Sequence, residues 1–421
     1  MANELKESSR QYDVDWLRVI AVCVLITIHT AAMFDPYPIT AVKGATYFPL
    51  IVYATFVHEW RLAILFIVSG ASAYFALGFL TGRQFVSVRV KRILIPLVVG
   101  TLLIVPIHLY YWQFYRNPTY NKSYFQFYQT ILIGLFRDGN FGRTKESLHW
   151  AHLWFLAYLF VSSLVALPLF LYLKKDGRHL ISRLATLMEK KGAIFLFALP
   201  LVVIEATLRA KWVGRALIIV DDWANFLFYL ALFIYGFLIF SDGRIRAAIE
   251  RHRWVALVLG TLTSSAYLFI TFAGNTPVRG YNLNWTLFTV LRSLNVWFWC
   301  VTVFGFGLRH LSFKNRVLPY ANEAVYPVYV IHLPVASIIA YRVLGWRLPP
   351  FAQFLVITLA TLAVSVLIYE ILIRRTKVTR FLFGLKLKKP GRSAAASAPT
   401  LDTPSFAEIA PPAPAREPSA D

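Results

Sequence analysis

Two side chains that could do chemistry lie near opposite ends of one apolar stretch, DWLRVIAVCVLITIHT, residues 15 to 30. Arg18 and His29 are eleven residues apart, which on an α-helix is three turns plus about 20°. Both side chains therefore face the same way, with roughly 16.5 Å of axial rise between them. A neutral imidazole in an apolar site can take a proton from a hydroxyl and return it to a leaving group. The spacing predicts a cation and a titratable base on one helix face.

The distance between these side chains is comparable to the length of a pantetheine arm. A coenzyme A thioester with its phosphates near Arg18 could bring its acyl carbon towards His29. A structural role fits the same spacing equally well. Arg18 would then extend to the membrane interface, and His29 would hydrogen-bond a neighbouring helix.

The helix that must position these side chains belongs to a chain that is too apolar for an ordinary soluble domain. Of its 421 residues, 58% are hydrophobic and 15% are charged. Its apolar stretches of about 17 to 25 residues predict an all-α polytopic membrane helical bundle. Ten spans are expected, near residues 16–34, 51–80, 93–113, 153–173, 193–209, 223–241, 254–273, 287–308, 319–341 and 351–373.

The basic residues predict the orientation of this bundle. If the N-terminus is cytoplasmic, cytoplasmic segments carry 28 Lys and Arg and the opposite loops carry 12. This bias fits the positive-inside rule, so both termini are expected in the cytoplasm, and the net charge of +22 does not indicate nucleic-acid binding. We divide the chain into a cytoplasmic segment (1–15), a membrane domain (16–375) and a basic juxtamembrane segment with an Ala/Pro-rich tail (376–421), which is expected to be disordered.

Ionisable side chains inside membrane spans are costly and usually functional. Beyond Asp15, Arg18 and His29, the predicted spans contain His58, Glu59, Arg61, Glu205, Arg292, His332 and Glu370. On a helix, His58 and Arg61 share a face, whereas Glu59 and Arg61 do not. Either Glu205 or Glu370 could orient His29 if its helix faces the first span. His332 could orient an acceptor or simply bond a neighbour.

Several stretches, in order, resemble the membrane acyltransferase-3 family. They are the Arg18-to-His29 spacing, HEWRLAILFIVSG (58–70), RVKRILIP (89–96), HLWFL (152–156) and YPVYVIHLPV (326–335). The resemblance covers about residues 12 to 375. Where some members carry a glutamate in the fourth span, this chain reads WFLAYL, and it thereby resembles the branch that includes glucan biosynthesis protein C. The resemblance therefore does not define an acidic side chain that would hydrogen-bond to His29.

The resemblance implies transfer of an acyl group, often acetyl or succinyl, from cytoplasmic acyl-CoA to a hydroxyl of a glycan or similar acceptor. Acyl-CoA would be a co-substrate, with no bound cofactor, and the location a bacterial inner membrane. His29 would be the catalytic base. The residues expected to bind donor or acceptor are Arg18, Arg61, Arg89, Arg92, Trp154 and His332.

Other interpretations of these residues stay open. Arg89 and Arg92 could serve only the positive-inside rule, and Trp154 could be an interfacial belt residue. His149 and His152 are spaced like metal ligands, but without an evident third ligand no metal site is expected. For the whole chain, the alternative is a transporter or flippase that uses the same buried charges.

Overall fold

The computed structural model describes residues 11–36, 42–117, 119–142, 147–212 and 221–387. Most of the predicted N-terminal segment and the Ala/Pro-rich tail lie outside these ranges. The described residues are overwhelmingly helical. The helices are α1 Tyr12–Ala31, α2 Phe48–Ala76, α3 Gly82–Arg116, α4 Tyr124–Phe136, α5 Trp154–Val165, α6 Leu167–Lys174, α7 Arg178–Glu189, α8 Ala198–Leu208, α9 Trp223–Ser241, α10 Gly243–Arg251, α11 Arg253–Phe272, α12 Leu283–His310, α13 Val317–Val343, α14 Pro350–Ile368 and α15 Lys377–Leu382.

The predicted all-α polytopic membrane bundle is confirmed. In the described part of the chain, eight helices are long and apolar enough to cross a membrane. A ninth span is possible if α5 and α6, which meet at a bend of 48°, cross together. The predicted span near 193–209 is a shorter apolar helix, Ala193–Leu208, because its run begins in a 3-10 turn and ends at Arg209. The cytoplasmic location of both termini stays a prediction.

The centre of the bundle is formed where α2 packs against α9 and α1. At the α2–α9 crossing, a Cβ atom on Gly70 would lie 1.9 Å from the carbonyl oxygen of Phe233. A Cβ on Gly236 would lie 2.0 Å from the carbonyl oxygen of Ile67. Only glycine permits this close approach of two backbones, a common use of small residues between membrane helices.

Helices α3 and α13 are irregular, and both contribute to the site. Helix α3 contains two π-helical turns, Val90–Leu94 and Gly100–Ile104, which change the direction of the side chains that follow. Helix α13 contains Pro327 and Pro334 in its interior. It is the most enclosed of the candidate spans in the described residues, and it packs against α1, α3 and α14.

Candidate active site

The site is centred on two histidines from α1 and α13. His29 Nδ1 and His332 Nε2 are 2.8 Å apart, and the two rings are nearly parallel, at 7°. His332 is completely buried, whereas His29 is partly exposed. His332 Nδ1 lies 2.6 Å from the carbonyl oxygen of Tyr329. The predicted base therefore has a direct partner, and this partner is a second histidine.

Two further histidines surround this pair. His152 Nε2 donates to the carbonyl oxygen of Val330 at 2.9 Å, and its ring meets the ring of His332 edge-on. His108 Nδ1 lies 2.8 Å from the hydroxyl of Ser337. His108 is absent from the predicted set, although it is an ionisable residue in an apolar run, the signal that selects His29.

Arg61 lies next to this cluster, within electrostatic range of both His29 and His332. It is buried, and its Nη1 donates to His58 Nδ1 at 2.8 Å, as their predicted common face requires. Among the described residues its Nε has no hydrogen-bond partner. Arg61 thus brings a buried cation, with hydrogen-bonding capacity left over, close to the histidine pair.

Glu59 and Arg292 form a separate, closed ion pair. Arg292 donates from Nε to Glu59 Oε2 at 2.9 Å and from Nη2 to Oε1 at 3.2 Å, and Tyr267 donates its hydroxyl proton to the same carboxylate. Two parallel bonds of this kind satisfy both charges. Since Glu59 points to Arg292, it does not neutralise Arg61 through a hydrogen bond.

Neither acid proposed from the sequence lies behind His29. Glu205 makes an ion pair with Arg209 one turn away. Glu370 likewise pairs with Arg374, at 2.8 Å. The expectation that one of them orients His29 is therefore wrong, because each carboxylate forms an ion pair with the arginine four residues later in the chain.

Arg18 joins three helices at the other end of the common face. Its Nη1 donates to Asn322 Oδ1 at 2.9 Å and lies 3.4 Å from Asp15 Oδ1, while its Nη2 donates to Ser72 Oγ at 2.8 Å. Asn322 also donates to Asp15 at 3.1 Å. Contacts with three side chains, rather than a simple extension to the membrane interface, therefore hold the Arg18 side chain in place. Asn322 and Ser72 could not be found from sequence, because neutral polar residues are common in such spans.

Arg89 and Arg92 lie at the N-terminal end of α3, where the first π-helical turn begins. The Arg89 guanidinium stacks over the ring of Phe85 at 4.6 Å. Arg89 is within electrostatic range of both Arg92 and Arg18. Three cations from α1 and α3 thus share one region, which favours an anionic ligand.

Trp154 packs into the bundle. Its ring lies 5.1 Å from that of Tyr158 and 5.5 Å from that of Tyr229. Trp154 remains partly exposed, so a role in acceptor binding stays a prediction.

The described residues contain no group of three or more His, Cys, Asp or Glu that could hold a metal ion. His149, the other half of the suspected pair, bonds the carbonyl oxygen of Ser147.

Residues 11–370 match the acyltransferase-3 family, whose description is "acyltransferase domain". The chain therefore belongs to this family. It is also similar to the glucans biosynthesis protein C of Salmonella schwarzengrund (strain CVM19633), with 23% identity over 91% of this chain and 98% of that protein. The Salmonella typhi protein of that name is 24% identical over the same shares. No solved structure matches the chain.

Family membership decides between the two predicted classes. The protein is a multi-pass membrane acyltransferase that transfers groups other than aminoacyl groups.

Proposed function

We propose that the protein moves an acyl group from cytoplasmic acyl-CoA to a hydroxyl of a glycan, with His29 as the catalytic base. The observation that carries the proposal is the hydrogen bonding of His29, a residue that keeps part of its surface exposed. Its Nδ1 is engaged with His332, while Nε2 has no hydrogen-bond partner among the described residues. A histidine with one nitrogen held and the other free is suited to general acid–base catalysis.

In the proposed reaction, His29 Nε2 takes the proton of the acceptor hydroxyl as its oxygen attacks the thioester carbonyl carbon. The C–S bond then breaks, and the imidazolium returns the proton to the leaving thiolate. The products are an ester and free CoA. Arg61 is positioned near the pair and would stabilise the oxyanion that forms on the thioester carbonyl.

The donor would enter from the cytoplasm beside Arg18, Arg89 and Arg92. Guanidinium groups bind phosphate oxygens through two parallel hydrogen bonds, so these arginines are suited to the phosphates of CoA. A donor held there would direct its pantetheine arm along α1, because Arg18 and His29 are about three turns apart on one face. The acyl group we expect is acetyl or succinyl.

The acceptor and the membrane are proposed from the relatives. The proteins similar to this chain are named for glucan biosynthesis and come from Salmonella. A glycan acceptor and the bacterial inner membrane, where cytoplasmic CoA is available, fit both facts. Aromatic side chains near the site, including Trp154, could stack on a sugar ring.

The test is an acyl-transfer assay on the full-length protein in proteoliposomes, with radiolabelled acetyl-CoA or succinyl-CoA and a β-glucan. We expect glucan-dependent release of CoA and a labelled glucan, confirmed by mass spectrometry. His29→Ala should lower the rate by about 10²- to 10⁴-fold, the usual contribution of a general base.

The matched control is His179→Ala, because His179 is an exposed histidine in the first turn of α7 whose Nδ1 contacts the backbone carbonyl oxygen of Asp176. It should keep the wild-type rate. Full activity in His29→Ala would refute His29 as the base. A wild-type protein that moves unmodified glucan across the bilayer without releasing CoA would support the transporter instead.

A further inference from the structure

We infer that His332 is the positioning residue that fixes the tautomer of His29, in the place where a carboxylate was expected. The inference rests on the proposed function, since it concerns how the base is prepared. It depends on two consecutive contacts, which join a carbonyl oxygen on α13 to the His332 ring and the His332 ring to the His29 ring.

The first contact decides which nitrogen of His332 carries the proton. The carbonyl oxygen of Tyr329 can only accept a hydrogen bond, and it lies 2.6 Å from His332 Nδ1. Nδ1 must therefore be the donor. In a neutral ring the other nitrogen, Nε2, is then an acceptor.

His332 is neutral because of where it lies. The ring is completely buried, and no carboxylate of the described residues hydrogen-bonds to it. Its charged neighbour is the Arg61 guanidinium. Burying a second cation near an arginine, with no carboxylate bonded to it, would be strongly unfavourable.

The tautomer of His29 follows directly. His332 Nε2 accepts, so His29 Nδ1, 2.8 Å away, must donate. A neutral His29 then carries its proton on Nδ1 and its lone pair on Nε2. The nitrogen that carries the lone pair is the one without a partner among the described residues, as a base for an incoming hydroxyl requires.

A histidine in this position differs from a carboxylate in one useful way. Both accept a hydrogen bond from Nδ1 and hold the ring in orientation. A carboxylate would add a negative charge next to Arg61 and could form an ion pair with it. Neutral His332 leaves the Arg61 charge available to the substrate, while the carbonyl of Tyr329 still fixes the direction of both rings.

The test compares two substitutions of similar length. In His332→Gln, Oε1 is separated from Cα by the same number of bonds as Nε2 of histidine, so it can accept from His29 Nδ1. In His332→Met, the thioether fills the space but is only a weak acceptor. The full-length protein is assayed in proteoliposomes for kcat and for KM of the acyl-CoA donor, and melting in detergent reports folding.

We expect His332→Met to lower kcat by about 10- to 100-fold, as loss of an orienting partner usually does. Its donor KM should stay within about twofold of wild type, because the proposed donor contacts are about three turns away. His332→Gln should recover at least about tenfold of that loss. A purely structural role would lower the melting temperature without producing this kcat difference at unchanged KM.

Equal kcat in the Gln and Met variants, whether high or low, would overturn the inference. If His332→Met does not fold, His332→Asn replaces it, because its amide oxygen is one bond shorter and cannot reach His29. His252→Gln is the control, since His252 is also buried but lies outside the site and bonds the backbone of Ala248 and Gly192; it should keep the wild-type kcat. Full activity in His29→Ala would refute the proposed function; loss there with equal Gln and Met variants would refute only this inference.

Discussion

The two ends of the face shared by Arg18 and His29 are built on different chemistry. At the end nearer the N-terminus, Arg18 is held by Asp15, Asn322 and Ser72. At the other end, His29 meets a neutral, fully buried histidine, and within the described part of the chain its second nitrogen has no hydrogen-bond partner. One end is a charged network that joins helices, and the other is a pair of rings ordered by a backbone carbonyl.

This difference teaches that a shared helix face does not imply a shared role. A cation that satisfies three partners contributes to stability as well as to any ligand it binds. A base must instead keep a lone pair available, so its partner should orient it without consuming that nitrogen. We therefore expect substitutions at the two ends to affect different kinetic constants.

The largest expected effect on this comparison is that of Arg18→Gln. Loss of the guanidinium should raise the donor KM by about 10- to 100-fold, while kcat stays within a few-fold. Because hydrogen bonds to charged groups contribute about 1.5–3 kcal/mol, the melting temperature in detergent should also fall by several degrees. Steady-state kinetics and melting of the same preparation measure both.

Arg18→Lys is the control for Arg18→Gln. It keeps the charge but not the planar fork, so it should recover part of the donor KM and little of the stability. If Arg18→Gln melts early but keeps the wild-type donor KM, Arg18 is structural only and the donor path is wrong.

A smaller effect should separate phosphate binding from the positive-inside rule. Arg89→Gln and Arg92→Gln should each raise the donor KM about tenfold, which is about 1.4 kcal/mol. Arg83→Gln, an exposed arginine in the same segment, should leave it unchanged. The measurement is donor KM at low and high salt, since screening should weaken wild-type binding more than binding by the variants. Equal effects at all three positions would mean that Arg89 and Arg92 serve topology alone.

The smallest effect should come from Asp242, which lies outside the spans between α9 and α10. Hydrogen bonds from the Arg244 side chain and backbone hold the pKa of Asp242 below its usual value. A lowered pKa in the folded state adds stability above the unfolded value of about 3.9, and this is lost as pH falls through the folded pKa. Asp242→Asn should therefore melt about 1–2 °C lower at pH 7, with the difference shrinking as the pH falls from about 4 through the folded pKa of Asp242.

Asp242→Asn should change neither kcat nor the donor KM. It is therefore the reference against which the kinetic effects of substitutions at Arg18 and His29 are compared. A kinetic change as large as that of Arg92→Gln would show that these assays report general damage to the bundle.

The fold could be predicted to a large extent because membrane spans are long, contiguous apolar runs. The prediction was weakest for apolar runs such as 193–209, because only the helix length distinguishes a membrane span from a shorter apolar helix there. A glycine such as Gly70 is compatible with close packing in a span, but its approach to Gly236 depends on which helix it meets, and no local pattern encodes that.

For the site, pairs on one helix were predictable and pairs between helices were not. The contact between His58 and Arg61 follows from their spacing. The pairing of Glu59 with Arg292 links residues more than two hundred positions apart, and no local pattern encodes it. The same limit explains why the partner of His29 was sought among acids.

The sequence alone determined that the chain is a helical membrane bundle, which ionisable residues lie inside its spans, and the common face of Arg18 and His29. These follow from composition, motif order and helical period, which are local properties of the chain. Only the tertiary structure decided that His332 lies behind His29 and that Glu59 pairs with Arg292. Which helix faces which is set by packing across the whole bundle, so the partner of a buried polar group is a property of the folded molecule.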